Sequence, residues 1–242
     1  MPSGLTVYYR DSDHSYWLEV RERGGKWTAV RDSRLTNVTT ILGVLAKDAL
    51  LDWAANLARE GEDWREVRRE AAERGTSSHD IVMRTLLGKR TSLADMDDEH
   101  RPYGQAAFRW MRERRPVLKA AETVVVSAEH RYAGRFDLLT TDNVLHDLKT
   151  VSKWAERDGR RLPPYPENCL QLDLYAQAMV ESGFDRPEYG VIVRLGPDGT
   201  WDEHPVELDP QRGLDVLAAY RARAAATKAL RAGLPEPAKE AA

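Results

Sequence analysis

Residues 133–150 read AGRFDLLTTDNVLHDLKT, and the rest of the chain can be read outward from them. Their β-branched and aromatic content predicts two strands, Tyr132 to Leu139 and Val144 to Val151, around the turn residues Thr141, Asp142 and Asn143. Side chains alternate along a strand, so Asp147 and Lys149 share a face. Asp137 lies ten residues before Asp147, a separation that a tight hairpin closes. Two carboxylates and one ammonium would then converge at a sheet edge. That is the smallest set able to hold a divalent cation against a phosphodiester and to activate a water beside it.

Taken alone, the acid-x-Lys triplet says little. With 39 Asp and Glu in 242 residues, chance supplies roughly one such triplet. Asp147-Leu148-Lys149 is the single instance, and a surface ion pair of small energetic weight is the plain alternative. Its surroundings argue for more. Val144, Leu145 and Leu148 bury the strand, Gly134 and Asp137 precede it, His79 lies upstream, and Gln171 and Tyr175 follow at i and i+4 of a helix.

A chain of 242 residues makes one large domain, or one domain with an appended helical lobe. Apolar content of 42% with 31% charged residues separates it from disordered chains. No apolar run approaches the ~18–20 residues that span a bilayer. The opening MPSGLTVYYRDSD lacks the basic start and apolar segment of a signal peptide. The single Cys169 excludes an internal disulfide and any four-cysteine zinc or iron–sulfur site. A cytoplasmic protein without a membrane partner is expected. The net charge of −3 argues against coating nucleic acid by bulk electrostatics. Basic residues nevertheless cluster at Arg109, Arg112, Arg114 and Arg115, at Arg65, Arg68, Arg69 and Arg74, and at Arg157, Arg160 and Arg161. The stretch from Arg65 to Arg69 is interleaved with Glu66 and Glu70 and reads as a solvated helix face.

In chain order, residues 5–30 read as a small antiparallel sheet, with turns at DSDH, containing His14, and at RGGK. Residues 36–60 turn helical, with Asn37 or Thr39 as cap, a break near Lys47, a second helix from Asp48 and a stop at Gly61. DWREVRREAAER gives another helix. Gly75 is expected to interrupt it and Thr76 to cap the next, which places His79 in an open, polar first turn suited to a phosphate. TSLADMDDEHRP reads as a mobile loop, and the helix after it ends at Pro116. Strands begin at Ala121; residues 154–166 read as a charged, proline-rich loop; PENCLQLDLYAQAMVES is a helix. A second hairpin turns at Gly196–Gly199, a closing helix covers 210–232, and the tail is expected to be disordered.

With a helical His79, Gly134-Arg135-Phe136-Asp137, Asp147-Leu148-Lys149 and Gln171-Leu172-Asp173-Leu174-Tyr175 in this order, the chain resembles the PD-(D/E)xK nuclease superfamily, and within it the RecB-like and phage-type exonucleases. Arg74-Gly75-Thr76 before His79 belongs to the same match, which spans roughly residues 74–175; the N-terminal lobe matches more loosely. The resemblance implies an α/β fold, a central mixed β-sheet flanked by helices (restriction-endonuclease-like), with a helical N-terminal lobe and a small N-terminal antiparallel sheet. It implies a single nuclease domain over 1–232, with the lobe at 1–73, the core at 74–208, the closing helix at 209–232, and a disordered tail at 233–242. Asp137, Asp147 and the Leu148 carbonyl would ligate Mg²⁺ or Mn²⁺, with His79 as a further ligand. Lys149 would position or activate the attacking water. Gln171, Tyr175, Arg74 and Arg135 would contact the DNA backbone or brace the site, and Glu122 or Glu129 could serve as an outer carboxylate. The cysteines that hold an iron–sulfur cluster in some relatives are absent, and Asp147 stands where many relatives carry Glu. The implied activity is metal-dependent hydrolysis of DNA from an end, in recombination, repair or phage DNA processing, with a single-strand-annealing protein as an optional partner. A structure- or site-specific endonuclease and a non-cleaving binding module of the same fold stay open, as does the oligomeric state.

Overall fold

A computed structural model describes residues 7–23, 26–30, 33–45 and 48–232. The RGGK turn, the break at Lys47 and the tail at 233–242 fall wholly or partly outside the described residues. At the centre is a mixed sheet of eight strands: β1 (Tyr8–Arg10), β2 (Ser15–Trp17), β5 (Arg34–Asn37), β6 (Leu118–Ser127), β7 (Tyr132–Thr140), β8 (Leu145–Thr150), β11 (Gly190–Leu195) and β12 (Trp201–Val206). β3 (Val20–Arg23) with β4 (Lys26–Ala29), and β9 (Glu156–Arg157) with β10 (Arg160–Arg161), form separate two-stranded ribbons. β6, β7 and β8 run as an antiparallel meander, and β11 is parallel to β8 and antiparallel to β12.

Helices cover both faces. α1 (Val38–Leu42), α5 (Pro166–Glu181) and α6 (Pro210–Ala232) pack on one, through a core that includes Ile41, Leu145, Leu172, Leu174, Ile192 and Leu217. α3 (Trp64–Leu86) and α4 (Arg101–Arg114) pack on the other, against Leu138, Leu148 and Val193, while α2 (Asp48–Glu60) lies against α3. The mixed central sheet with helices on both faces is the α/β architecture expected from the sequence, and α4 lies between α3 and β6 in chain order.

Local chemistry accounts for the elements nearest the site. The β7–β8 turn closes where Asn143 takes φ 62° and its N–H donates to Thr140 O at 2.9 Å, a conformation Asn tolerates. Asn37 caps α1, its Oδ1 accepting from Thr39 N at 3.0 Å. Pro166 opens α5, where its missing N–H costs nothing. α4 ends at Arg115 with φ 50°, and Pro116 prevents continuation. Trp110 of α4 is fully buried, with its indole N–H satisfied by Glu203 Oε1 at 2.6 Å.

Three expectations fail. Gly75 does not interrupt a helix. α3 runs unbroken through it, Thr76 Oγ1 donates back to Ala72 O at 3.0 Å instead of capping, and His79 sits mid-helix rather than at an open N-terminus. A glycine costs a helix only about 1 kcal/mol, less than burial of Ile81, Val82 and Met83 returns. The expected junction between lobe and core at 73/74 therefore lies inside α3. The 91–100 segment is not free either: Met96 is buried in the α3–α4 core, and the Arg101 guanidinium donates to the carbonyls of Leu93 and Met96. The charged loop after β8 contains the β9–β10 ribbon, turned by Asp158 and Gly159 at φ 53° and 72°. Trp154 pins that loop, with the Arg161 guanidinium 3.5 Å from its ring centroid and its own N–H donating to Asp198 at 3.0 Å.

Candidate active site

The site lies at a fork in the sheet. β7 and β8 pair at Leu139 with Leu145 and at Leu138 with His146. Asp137 and Asp147 would come next in that register, and there the ladder stops. Further along, β7 takes β5 as its neighbour, at Thr36 with Tyr132 and Asn37 with Ala133. In the gap, Leu148 N–H donates to the Asp137 side chain, Oδ2, at 2.8 Å rather than to a strand carbonyl. The hairpin thus does what the sequence suggested, setting the two aspartates opposite each other, and the carboxylate of Asp137 itself wedges the strands apart.

His79 closes one side of the fork. Its Nε2 is 2.9 Å from Leu148 O, and Nδ1 faces Asp137 Oδ1 at 3.7 Å and Glu122 Oε1 at 3.8 Å. One ligand atom from each of His79, Glu122 and Asp137 falls within 4.8 Å of the other two. An imidazole whose Nε2–H is held by a carbonyl offers its Nδ1 lone pair outward, the usual posture of a metal-binding histidine. Metal–ligand bonds of ~2.1 Å place adjacent ligand atoms ~3.0–3.4 Å apart, so a small contraction of the observed gaps would seat an ion. A nitrogen with two hard carboxylates suits Mn²⁺ or Mg²⁺. With no ion, burial draws the His79 imidazole down, but Asp137, Glu122 and the Leu148 carbonyl together outweigh burial and lift it to about 9. A proton then occupies the place of positive charge.

Glu122 is the residue the sequence nearly missed. It stands opposite Asp137 in the β6–β7 register, between the pairs Ala121–Leu138 and Thr123–Phe136, yet it drops out of the ladder because its φ is 45°. A non-glycine residue in the left-handed region within a strand costs on the order of 1–3 kcal/mol and persists where surrounding structure enforces it. Here the conformation turns the carboxylate toward His79. Arg135 holds its other oxygen at 2.9 Å.

Alternation places Asp147 and Lys149 on the α5 face with Leu145, whereas Leu148 packs toward α3 and α4. Asp147 is only 1% exposed, and neither carboxylate oxygen has a well-directed hydrogen bond. Lys149 Nζ stands 2.6 Å from Oδ2, an ion-pair contact of poor hydrogen-bond direction. Burial raises the Asp147 carboxyl against the pull of Lys149; burial also opposes the charge on Lys149, and the two aspartates outweigh it. Lys149 donates to Gln171 Oε1 at 3.3 Å, and Gln171 Nε2 donates to Tyr175 OH at 3.0 Å. Tyr175 is buried and packs so close to β7 that a Cβ at Gly134 would stand 2.5 Å from its ring. The Gln-x3-Tyr pair therefore braces Lys149.

The remaining expected residues divide. Arg135 lines, with His79 and Glu122, a cleft of about 430 Å³ beside the fork. Arg74 lies elsewhere, in a second cleft with Glu70, Glu73 and Asp97, its guanidinium over the Tyr103 ring. The Leu148 carbonyl, expected to face a cation, is engaged by His79. Glu129 belongs to a separate group, with His130 beside it on the β6–β7 turn and Glu181 at the end of α5.

No protein-family model matches the chain, and no curated protein matches it. Among solved structures it is similar to an alkaline exonuclease from Laribacter hongkongensis, at 16% identity and a TM-score of 0.44 over 81% of this chain and 88% of that one. The same exonuclease in complex with dAMP gives 16% identity and a TM-score of 0.40 over the same shares. A putative exonuclease from Eubacterium rectale gives 10% identity and a TM-score of 0.45, over 84% and 83% of the two chains. These likenesses are distant, and the functional reading rests on the site's own side chains.

Proposed function

We propose that the chain is a metal-dependent deoxyribonuclease that hydrolyses phosphodiester bonds from a DNA end. The observation that carries this reading is the meeting of His79, Glu122 and Asp137 within 4.8 Å, beside a buried Asp147–Lys149 pair with unsatisfied carboxylate oxygens. His79, Glu122 and Asp137 would hold Mg²⁺ or Mn²⁺, with Asp147 completing the set from the other side of the fork. Such an ion supplies a Lewis acid that polarises a phosphoryl oxygen and acidifies water. The protein's own groups do the rest. Lys149, steadied by Gln171, presents its ammonium to charge developing on the phosphate. Asp147, beside Lys149 Nζ, would accept a proton from an attacking water at whichever oxygen does not face the ion. Arg135, at the cleft wall, reaches a phosphate oxygen by exchanging it for Glu122.

The test is a digestion of end-labelled linear duplex, single strand and covalently closed circle, each with Mg²⁺, Mn²⁺ or chelator. Linear DNA should shorten only with metal while the circle survives. Nicking of the circle would make the chain an endonuclease. Binding without cleavage on every substrate would overturn the enzyme reading.

A further inference from the structure

A groove of about 440 Å³ lies between the end of α1 and α6, well apart in sequence from the fork. Thr40 and Gly43 line one wall; Tyr220, Arg223, Lys228 and Arg231 line the other, and no carboxylate lines it among the described residues. Those four α6 residues, at i, i+3, i+8 and i+11, share one helix face. From 216 to 232 the sequence carries Arg221, Arg223, Lys228 and Arg231 without one acid, in a chain whose acids outnumber its bases 39 to 36. α3 shows the ordinary arrangement by contrast, where Arg69 is neutralised by Glu66 and Glu73. Attraction to the carbonyls ending α1 explains Arg223, whose Nη1 is 3.5 Å from Gly43 O. It leaves Lys228 and Arg231 unexplained.

We propose that this groove holds the sugar–phosphate backbone of a nucleic-acid strand at a distance from the scissile bond. The choice of ligand rests on the nuclease reading. Arg223 to Arg231 spans about 12 Å at ~1.5 Å per residue, the length of three to four nucleotides at ~3.4 Å each. α1 ties the groove to the site: Val38, at its start, lies 3.0 Å from where a Gly134 Cβ would be, and Gly134 abuts Tyr175. From Val38 the same short helix runs on to Thr40, and Gly43 follows its end, both in the groove wall.

The test compares the full chain with the triple variant Arg223→Gln, Lys228→Gln, Arg231→Gln, after circular dichroism has matched their folds. Fluorescence anisotropy with an oligonucleotide in chelator should show about 10-fold weaker binding, and a salt slope reduced by roughly 2–3, between ~50 and ~200 mM salt. Hydrolysis of thymidine 5′-p-nitrophenyl phosphate, too small to reach the groove, should be unchanged with metal. Equal oligonucleotide affinity and slope in the two proteins overturns the groove while leaving the nuclease reading intact if the small ester is cleaved. A parent chain that neither binds DNA nor cleaves the ester removes both. Binding to anionic vesicles with none to DNA also overturns the proposal.

Discussion

Two aspartates, Asp173 on α5 and Asp147 on β8, are both buried, at 0% and 1% exposure, and they are treated in opposite ways. Asp173 receives Asp209 N–H at 2.8 Å and the Arg212 guanidinium at 2.9 and 3.0 Å, so the start of α6 is bolted to α5. Its charge is fully answered. Asp147 has Lys149 beside it and no well-directed donor on either oxygen. A buried carboxylate left in that condition is costly unless something absent from the polypeptide completes it. The first is a joint of the fold; the second has the unmet polar capacity that the proposed catalytic role would use.

The contrast can be broken by substitution. Asp147→Ala or Lys149→Ala should lower DNA cleavage by on the order of 10³-fold with the circular dichroism spectrum retained; cleavage at the parent rate would remove these residues from the site. Asp173→Ala should cost about 2–3 kcal/mol of stability in urea unfolding, the loss limited because Arg212 keeps 45% of its side chain exposed. Asp147→Asn, by comparison, should shift stability by less than ~1 kcal/mol, since relief from burying a charge offsets the lost attraction to Lys149. A larger loss for Asp147→Asn than for Asp173→Ala would reverse the assignment.

Protonation sharpens the comparison further. Without metal, His79 is raised from its ordinary 6.5 to about 9, so its contribution to stability is full below 6.5 and is lost as pH rises through 9. Asp147 is raised too, and likewise favours the fold when protonated. A cation must displace such protons, so its stabilisation grows as pH rises. At one fixed concentration, ~100 times its dissociation constant at pH 9, Mn²⁺ should raise the melting temperature by roughly 5–10 °C near pH 9 and by less at pH 6.5, where its affinity is lower. A shift independent of pH would contradict His79 as a ligand. The smallest effect is expected at the other cluster. Glu181 already accepts from Ser127 Oγ at 2.6 Å, Gln177 at 3.0 Å and Glu129 N–H at 3.2 Å, so Glu129→Gln should leave both Mn²⁺ binding and cleavage unaltered.

The parts of the site that follow local rules were legible in the residues. Period-two alternation and an Asp-Asn turn gave the hairpin, hence the facing of Asp137 and Asp147; helical spacing put Gln171 beside Tyr175. The rest depends on contacts distant along the chain. Glu122 adopts a backbone conformation that strand propensity disfavours, so no pattern points to it, although its position opposite Asp137 follows once the β6–β7 register is known. Gly75 looked like a helix break because its cost is local and visible, whereas the packing of α3 on the sheet is not. The bare basic stripe of α6 was present as spacing, but only α1 lying alongside turns it into a groove. Among the described residues no helix is long and apolar enough to cross a membrane.

The central claim is that one divalent ion is bound with a nitrogen from His79 and oxygens from Glu122 and Asp137. Electron spin-echo spectroscopy of Mn²⁺ added to the full chain tests it directly. A nitrogen modulation is expected on the bound ion and should vanish in His79→Ala, while Glu129→Gln keeps it. Bound Mn²⁺ without nitrogen coupling, or coupling that survives in His79→Ala, would contradict the claim.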